Sequence, residues 1–225
     1  MVGQLLPDLL NEIICKILQL VGEESFYYLG DFLWAGKRGY ALVHEPFVLK
    51  MCNVTDMVSF VTSQISNGGQ FREFFLKCVN VGNTSAICYE GLQAATITGL
   101  GESIKVLEPN VPKHGLSTFD VAIFNVCIGR DKEASQVFQL FADHHADQRS
   151  KAVLDMGELI EWLLTSFNTP FLNTYGSDFN FPDDDVIMQP KCLHRDNCRN
   201  FYVRVDGSCE NCKLFCICWN VCQML

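Results

Sequence analysis

Leu9, Leu10, Ile13, Ile14, Ile17, Leu18 and Val21 recur at helical spacing near the start of the chain. That period predicts a helix, with Asp8 placed to cap its first turn. The apolar residues fall into two adjacent columns, wider than one small packing contact requires. A helix of this kind can pack on its own domain with one column and meet a partner with the other. Beyond the breaker Asn67-Gly68-Gly69, helical period returns in short pieces from Phe71 to Phe167. Phe74, Phe75, Cys78 and Val79 form one stripe, and Ala86, Tyr89, Leu92 and Gln93 the next. Ile104 and Leu107, then Phe119, Ala122, Ile123 and Val126, carry two more. Val137, Phe138, Leu140 and Phe141, and finally Leu159, Ile160, Leu163 and Leu164, complete the run. Gly82, Gly99, Gly101 and Gly129 sit where helices would stop. Short helices that cannot each bury a face alone must stack.

Two further zones lack helical period. Residues 168–190 hold Pro170, Pro182, Pro190 and the acidic triplet Asp183 to Asp185, which reads as a linker or long loop. In residues 191–225, Phe201, Val203 and Val205 alternate with polar neighbours, as one short strand would. The expected organisation is therefore a domain over 1–50, a helical stack over 71–167, the linker, and a Cys-rich tail.

With 48% hydrophobic and 19% charged residues among 225, the chain can bury a real core. A net charge of −9 repels phosphate backbones and anionic lipid, so nucleic acid is a poor candidate ligand. No stretch approaches about 18 uncharged apolar residues, so no membrane span is expected. The run from Leu5 to Val21 carries Pro7, Asp8, Glu12 and Lys16 and lacks a basic leader, so no signal peptide is read there. An intracellular location, nuclear or cytoplasmic, is the corresponding expectation. It makes the glycan-acceptor matches Asn53-Val54-Thr55 and Asn83-Thr84-Ser85 accidental.

The opening Leu6-Pro7-Asp8-Leu9-Leu10-Asn11-Glu12-Ile13-Ile14 resembles the start of an F-box. Ser25-Phe26, Leu29, Lys37, Leu42 and Pro46-Phe47-Val48 continue the resemblance. The resemblance implies a three-helix unit that docks on a Skp-type adaptor of a cullin-based ubiquitin ligase. Leu6, Pro7, Leu9, Leu10, Ile13 and Ile14 would then contribute to the adaptor contact. A Leu-Pro pair fixes the chain's entry angle and offers rigid apolar area. Two positions depart from the pattern: Gly36 stands where a Cys is usual, and Gly39 where an aromatic is. Glycine in mid-helix costs about 1 kcal/mol against alanine. A plain amphipathic helical start is the competing reading.

The middle of the chain resembles the degenerate tetratricopeptide-like (SEL-type) repeats that follow the F-box in one group of plant F-box proteins. Phe74-Phe75, Cys78, Gly82-Asn83, Ala86, Tyr89, Gly91, Leu107, His114, Phe119, Cys127 and Gly129 carry this. Small residues at such places let helices approach closely. Pro109 and Pro112 would truncate the second repeat. An unrelated small α-helical bundle fits the periodicity equally well.

Seven of the twelve cysteines crowd into the last 34 residues. Cys192-x5-Cys198 precedes Cys209-x2-Cys212 and Cys218-x3-Cys222, which resembles the first two-thirds of a MYND-type zinc finger. Zinc takes four tetrahedral ligands, and close Cys pairs supply two at a time. The resemblance implies that Cys192, Cys198, Cys218 and Cys222 share one ion and that Cys209 and Cys212 begin a second site. A reduced Cys-rich tail without metal is the alternative, and a disulfide framework is the weakest reading. Cys222-Gln223-Met224-Leu225 also spells a prenylation-type box, without the polybasic run that stable anchoring uses. Asp143-His144-His145-Ala146-Asp147 reads as a solvated helix end, because the two histidines diverge by about 100° on a helix. His114 reads as a packed or capping residue. No phosphate-cradling loop, nucleophile elbow or supported Cys/His pair is present in the sequence, so no enzymatic activity is expected.

The sequence thus predicts a mostly α protein: an F-box-like three-helix start, a short helical-repeat stack and a small zinc-finger-like Cys-rich module. Its expected function is substrate recognition for a ubiquitin ligase, between a Skp-type adaptor and an unknown target. A helical scaffold without a ubiquitin role, or a decayed member of the family, are the alternatives.

Overall fold

The computed structural model describes residues 9–59, 62–177, 179–188 and 210–225. The chain divides into two compact units between Tyr89 and Glu90, inside one helix. The described residues are mostly helical and hold no strand. The strand expected around Phe201 to Val205 lies outside them. Among the described residues no helix is long and apolar enough to cross a membrane.

In the first unit, α1 (Asn11–Glu24) is followed by a 3-10 turn (Phe26–Leu29), α2 (Gly30–Trp34), α3 (Lys37–Val43), α4 (Pro46–Met51), α5 (Asp56–Ser59), a second 3-10 turn (Thr62–Ile65) and α6 (Arg72–Asn80). Residues 11–51 therefore hold four short α-helices where the F-box resemblance implied three. The break between α2 and α3 is built on Gly36, whose φ of 90° and ψ of −171° belong to a region open essentially to glycine alone. Gly36 therefore ends a helix instead of weakening the middle of one. Gly39 sits inside α3, where a Cβ would lie 2.2 Å from the Phe32 carbonyl oxygen. Both departures from the F-box pattern are demanded by local backbone geometry.

α6 stops at Gly82, as the sequence predicts. Gly82 N–H donates to Val79 O at 3.0 Å and Asn83 N–H to Cys78 O at 3.0 Å. With Gly82 at φ 83° this is a Schellman stop. Asn83 then caps α7 (Thr84–Ile97) by accepting from Ala86 N–H at 3.0 Å. Its amide nitrogen donates to Leu49 O at 3.0 Å and Cys52 O at 2.7 Å. One buried side chain thus joins the end of α4 to the start of α7, and no free amide is left there for a glycan.

The second unit begins within α7 and continues with α8 (Leu100–Leu107), α9 (Gly115–Cys127), α10 (Asp131–His144), α11 (Lys151–Ser166) and α12 (Glu210–Met224). Every residue of α9 from Ser117 to Cys127 is buried, which makes it the core helix. It packs against α8, α10 and α12, and α12 also packs on α11. Small residues set the crossings, as expected for Gly91. A Cβ on Gly91 would come within 2.4 Å of Leu107, and one on Gly157 within 2.5 Å of Ile217. α9 ends on a second Schellman stop: Gly129 N–H donates to Val126 O and Arg130 N–H to Asn125 O. Gly101 is the exception among the expected stops, lying inside the first turn of α8.

Residues 168–177 and 179–188 are irregular but are not a free linker. Phe181 and Ile187 are buried, Tyr175 Oη accepts from Leu100 N–H at 3.3 Å, and Ser135 Oγ donates to Asp184. Phe179 and Phe181 pack edge-on against Phe215 of α12. The segment is a strap closing over the helices. Asp184 is its anchor through that bond, although all three aspartates, Asp183 to Asp185, are exposed.

His114 is the N-cap of α9. Its Nδ1 accepts from Ser117 N–H at 3.2 Å, which requires the neutral ring. Burial, then the nearby His145, lower its pKa from the ordinary value. A histidine depressed in the folded state contributes stability that is full above the unfolded value of about 6.5 and is lost as pH falls through the folded one. Unfolding followed by circular dichroism from pH 7.5 to 5 should show a falling midpoint. His114→Asn, which caps without titrating, should flatten that slope. His44 in the first unit, lowered chiefly by burial, contributes in the same direction and accounts for the slope that persists.

Candidate functional site

α1 displays three faces. Ile14, Cys15, Leu18 and Gly22 are buried, and Gly22 lets the Leu29 side chain approach to within 3.3 Å of where a Cβ would stand. Lys16, Gln19 and Glu23 form a polar column, with Lys16 Nζ donating to Gln19 Oε1 and Gln19 Nε2 to Glu23 Oε1. Between them runs Leu10, Ile13, Ile17 and Leu20, spaced three and four apart, with Leu10 69% exposed and Ile13 47% exposed. The two columns expected from the sequence are present, one sealed and one open.

The open column is pre-organised. Arg38 of α3 donates to Leu9 O at 2.5 Å and to Asn11 Oδ1 at 3.1 Å, tying the start of α1 to its unit. The helix begins at Asn11, with Leu10 as an N-cap that makes no side-chain bond. Asp8, expected as the cap, lies outside the described residues, as do Leu6 and Pro7. Of the other expected contact residues, Leu9, Leu10 and Ile13 are exposed. Ile14 is not available to a partner: only 2% of it is exposed, because it heads the sealed column. Ile17 and Leu20 complete the open column. The spacing that placed Ile13 on it also places them, since Ile17 follows by four residues and Leu20 by three more. The first unit exposes further large apolar side chains at Tyr27, Tyr28, Trp34, Tyr40, Phe47 and Met51.

The expected metal ligands divide differently. Cys192, Cys198 and Cys209 lie outside the described residues. Cys212, Cys218 and Cys222 are on α12, all buried. Cys212, expected in a different site from Cys218 and Cys222, stands about 9 Å along the axis from Cys218 at the helical rise. Cys218 and Cys222 lie one turn apart, and beside them Cys127 Sγ–H of α9 donates to Cys218 O at 3.8 Å. Burial pushes the thiols of Cys218 and Cys127 well above the usual range. Cys218 and Cys222 are both packed among core side chains. Among the described residues no group of three or more His, Cys, Asp or Glu is placed to hold a metal. A prenyl group on Cys222 would require the last turn of α12 to leave that core. His144 and His145 are exposed, as expected for a solvated helix end, although His145 Nε2 lies 2.6 Å from Pro112 O.

In comparisons with protein-family models, curated proteins and solved structures, no match to the chain was found.

Proposed function

We propose that the chain is a protein-interaction adaptor whose first helix docks a Skp-type partner, so that a target held elsewhere on the chain is brought to a ubiquitin ligase. The observation that carries this reading is the open column of α1, Leu10, Ile13, Ile17 and Leu20, beside a column already sealed in the unit. Half-exposed aliphatic side chains aligned over three turns on a fixed helix suit a groove on a second protein. Burying Leu or Ile fully is worth about 1.5–3 kcal/mol, so four such residues can drive association. The chain's part is proximity, with no bond made or broken on it.

The test is capture of the full chain by a purified Skp-type adaptor. Wild type should be retained, and Leu10→Asp/Ile13→Asp should be lost with an unchanged circular dichroism spectrum. Failure of the wild type, while an authentic F-box protein is retained, removes the ubiquitin reading. What then stands is a scaffold whose exposed helix meets another partner. Gly36 and Gly39 favour that second reading, because the backbone demands glycine where the F-box pattern carries larger residues.

A further inference from the structure

We infer that the second unit carries a separate docking groove for a lysine or arginine side chain presented by a segment of a partner protein. The groove encloses about 500 Å³ and is lined by Glu158, Glu161, Trp162 and Thr165 of α11, Phe171 of the strap, and Asn220, Gln223 and Met224 of α12. The four α11 residues recur three and four apart, so one face of that helix forms a wall. Trp162 is 48% exposed and Phe171 61% exposed, large aromatic surfaces open to the groove's solvent. Met224, buried, contributes the apolar base.

The walls are held in place. Phe171 has φ 52°, which a bulky side chain adopts only where its surroundings impose it. Its N–H donates to Met224 O at 2.9 Å. Gln223 Nε2 donates to Asn173 Oδ1 at 2.6 Å, fixing the strap beside it. Asn220 Nδ2 donates to Glu161 Oε1 at 2.9 Å, which orients that carboxylate. Glu158 stands exposed on the rim. No Lys, Arg or His is among the lining residues.

Charge and shape together select the ligand. Two carboxylates one turn apart attract a cation, and an exposed indole offers the best aromatic face for one. The aliphatic stem of Lys or Arg can lie along apolar surface while its head reaches a carboxylate. The volume takes one or two side chains, so the remainder of the partner segment runs across the open rim. This surface is independent of the α1 column, and neither its success nor its failure bears on the adaptor contact.

The test uses the full chain and a fluorescently labelled peptide, Gly-Leu-Lys-Arg-Leu-Gly with blocked ends, followed by anisotropy. Saturable binding should weaken at least about threefold in Glu158→Gln and in Trp162→Leu, the scale of one exposed cation–π or ion contact. Asp185→Asn, which removes an exposed charge on the strap, should leave it unchanged. The Lys/Arg→Glu peptide should not bind. Absence of saturable binding, or equal weakening by Asp185→Asn, overturns the inference, the latter because it reduces the effect to attraction by an acidic chain. Binding of n-butylammonium as tight as that of the peptide also overturns it, since the groove would then be a small-cation site.

Discussion

Asn83→Ala should lower the unfolding free energy by about 2–4 kcal/mol, read as a shift of the urea midpoint at constant slope. Loss of the cap to Ala86 N–H accounts for about 1 kcal/mol. The remainder comes from Leu49 O and Cys52 O, buried acceptors left without the amide donor they share. Asn83→Asp separates these contributions. Its carboxylate still caps Ala86 N–H, but it faces two carbonyl oxygens that have lost the amide donor, of which Leu49 O keeps the Cys52 N–H at 3.3 Å. It should therefore be at least as damaging as alanine, although it is the better helix cap on an exposed surface. If aspartate restores stability, the bonds to the end of α4 contribute little. Against a domain stability of about 5–15 kcal/mol, either substitution makes the first unit marginal.

Adjacent residues of α1 should give opposite results. Leu18→Asp puts a carboxylate at a position with no exposure, and the loss, above about 4 kcal/mol, should unfold the first unit. Ile17→Asp, on the open column, should change stability by less than about 0.5 kcal/mol and reduce adaptor capture by at least about a hundredfold. The second figure follows from a charge placed in an apolar contact whose partner cannot reorganise around it. Thermal unfolding and capture measured on the same two proteins decide the matter. Loss of fold in both would show that the column seals an internal contact.

The helical stack was legible because its signals are local. Gly82 and Gly129 could be read as stops because a left-handed residue after a helix leaves glycine little competition. The two columns of α1 follow from spacing alone, whereas the division between Ile13, open, and Ile14, sealed, was not read from it, since both were expected at the partner contact. His114 could be read as a cap from its place ahead of a helical run. The tail was harder. Counted as ligands, Cys212, Cys216, Cys218 and Cys222 suggest metal. Counted as small apolar residues, they join Leu214, Ile217 and Val221 at helical spacing, and the structure places all seven in the core. The burial of these seven depends on what α9 and α11 present across the gap, which spacing along the chain does not show. The strap was missed for a related reason. Pro and Asp report the absence of helix, whereas its attachment runs through Tyr175, Asp184 and Phe181 to groups far along the chain.

The full enclosure of α9 has a consequence for how the protein reaches its final form. A helix buried on every side cannot be left wet along one flank without losing packing, and one of its neighbours is α12, joined to it across 91 positions by the bond from Cys127 to Cys218. Closing so long a span is entropically slow, so during synthesis the helices through α11 precede their last packing partner. For that interval the growing polypeptide displays a greasy trough, the kind of surface on which chaperones act. Substitutions at Gly157, where Ile217 must seat, would lengthen the delay and reduce yield through aggregation.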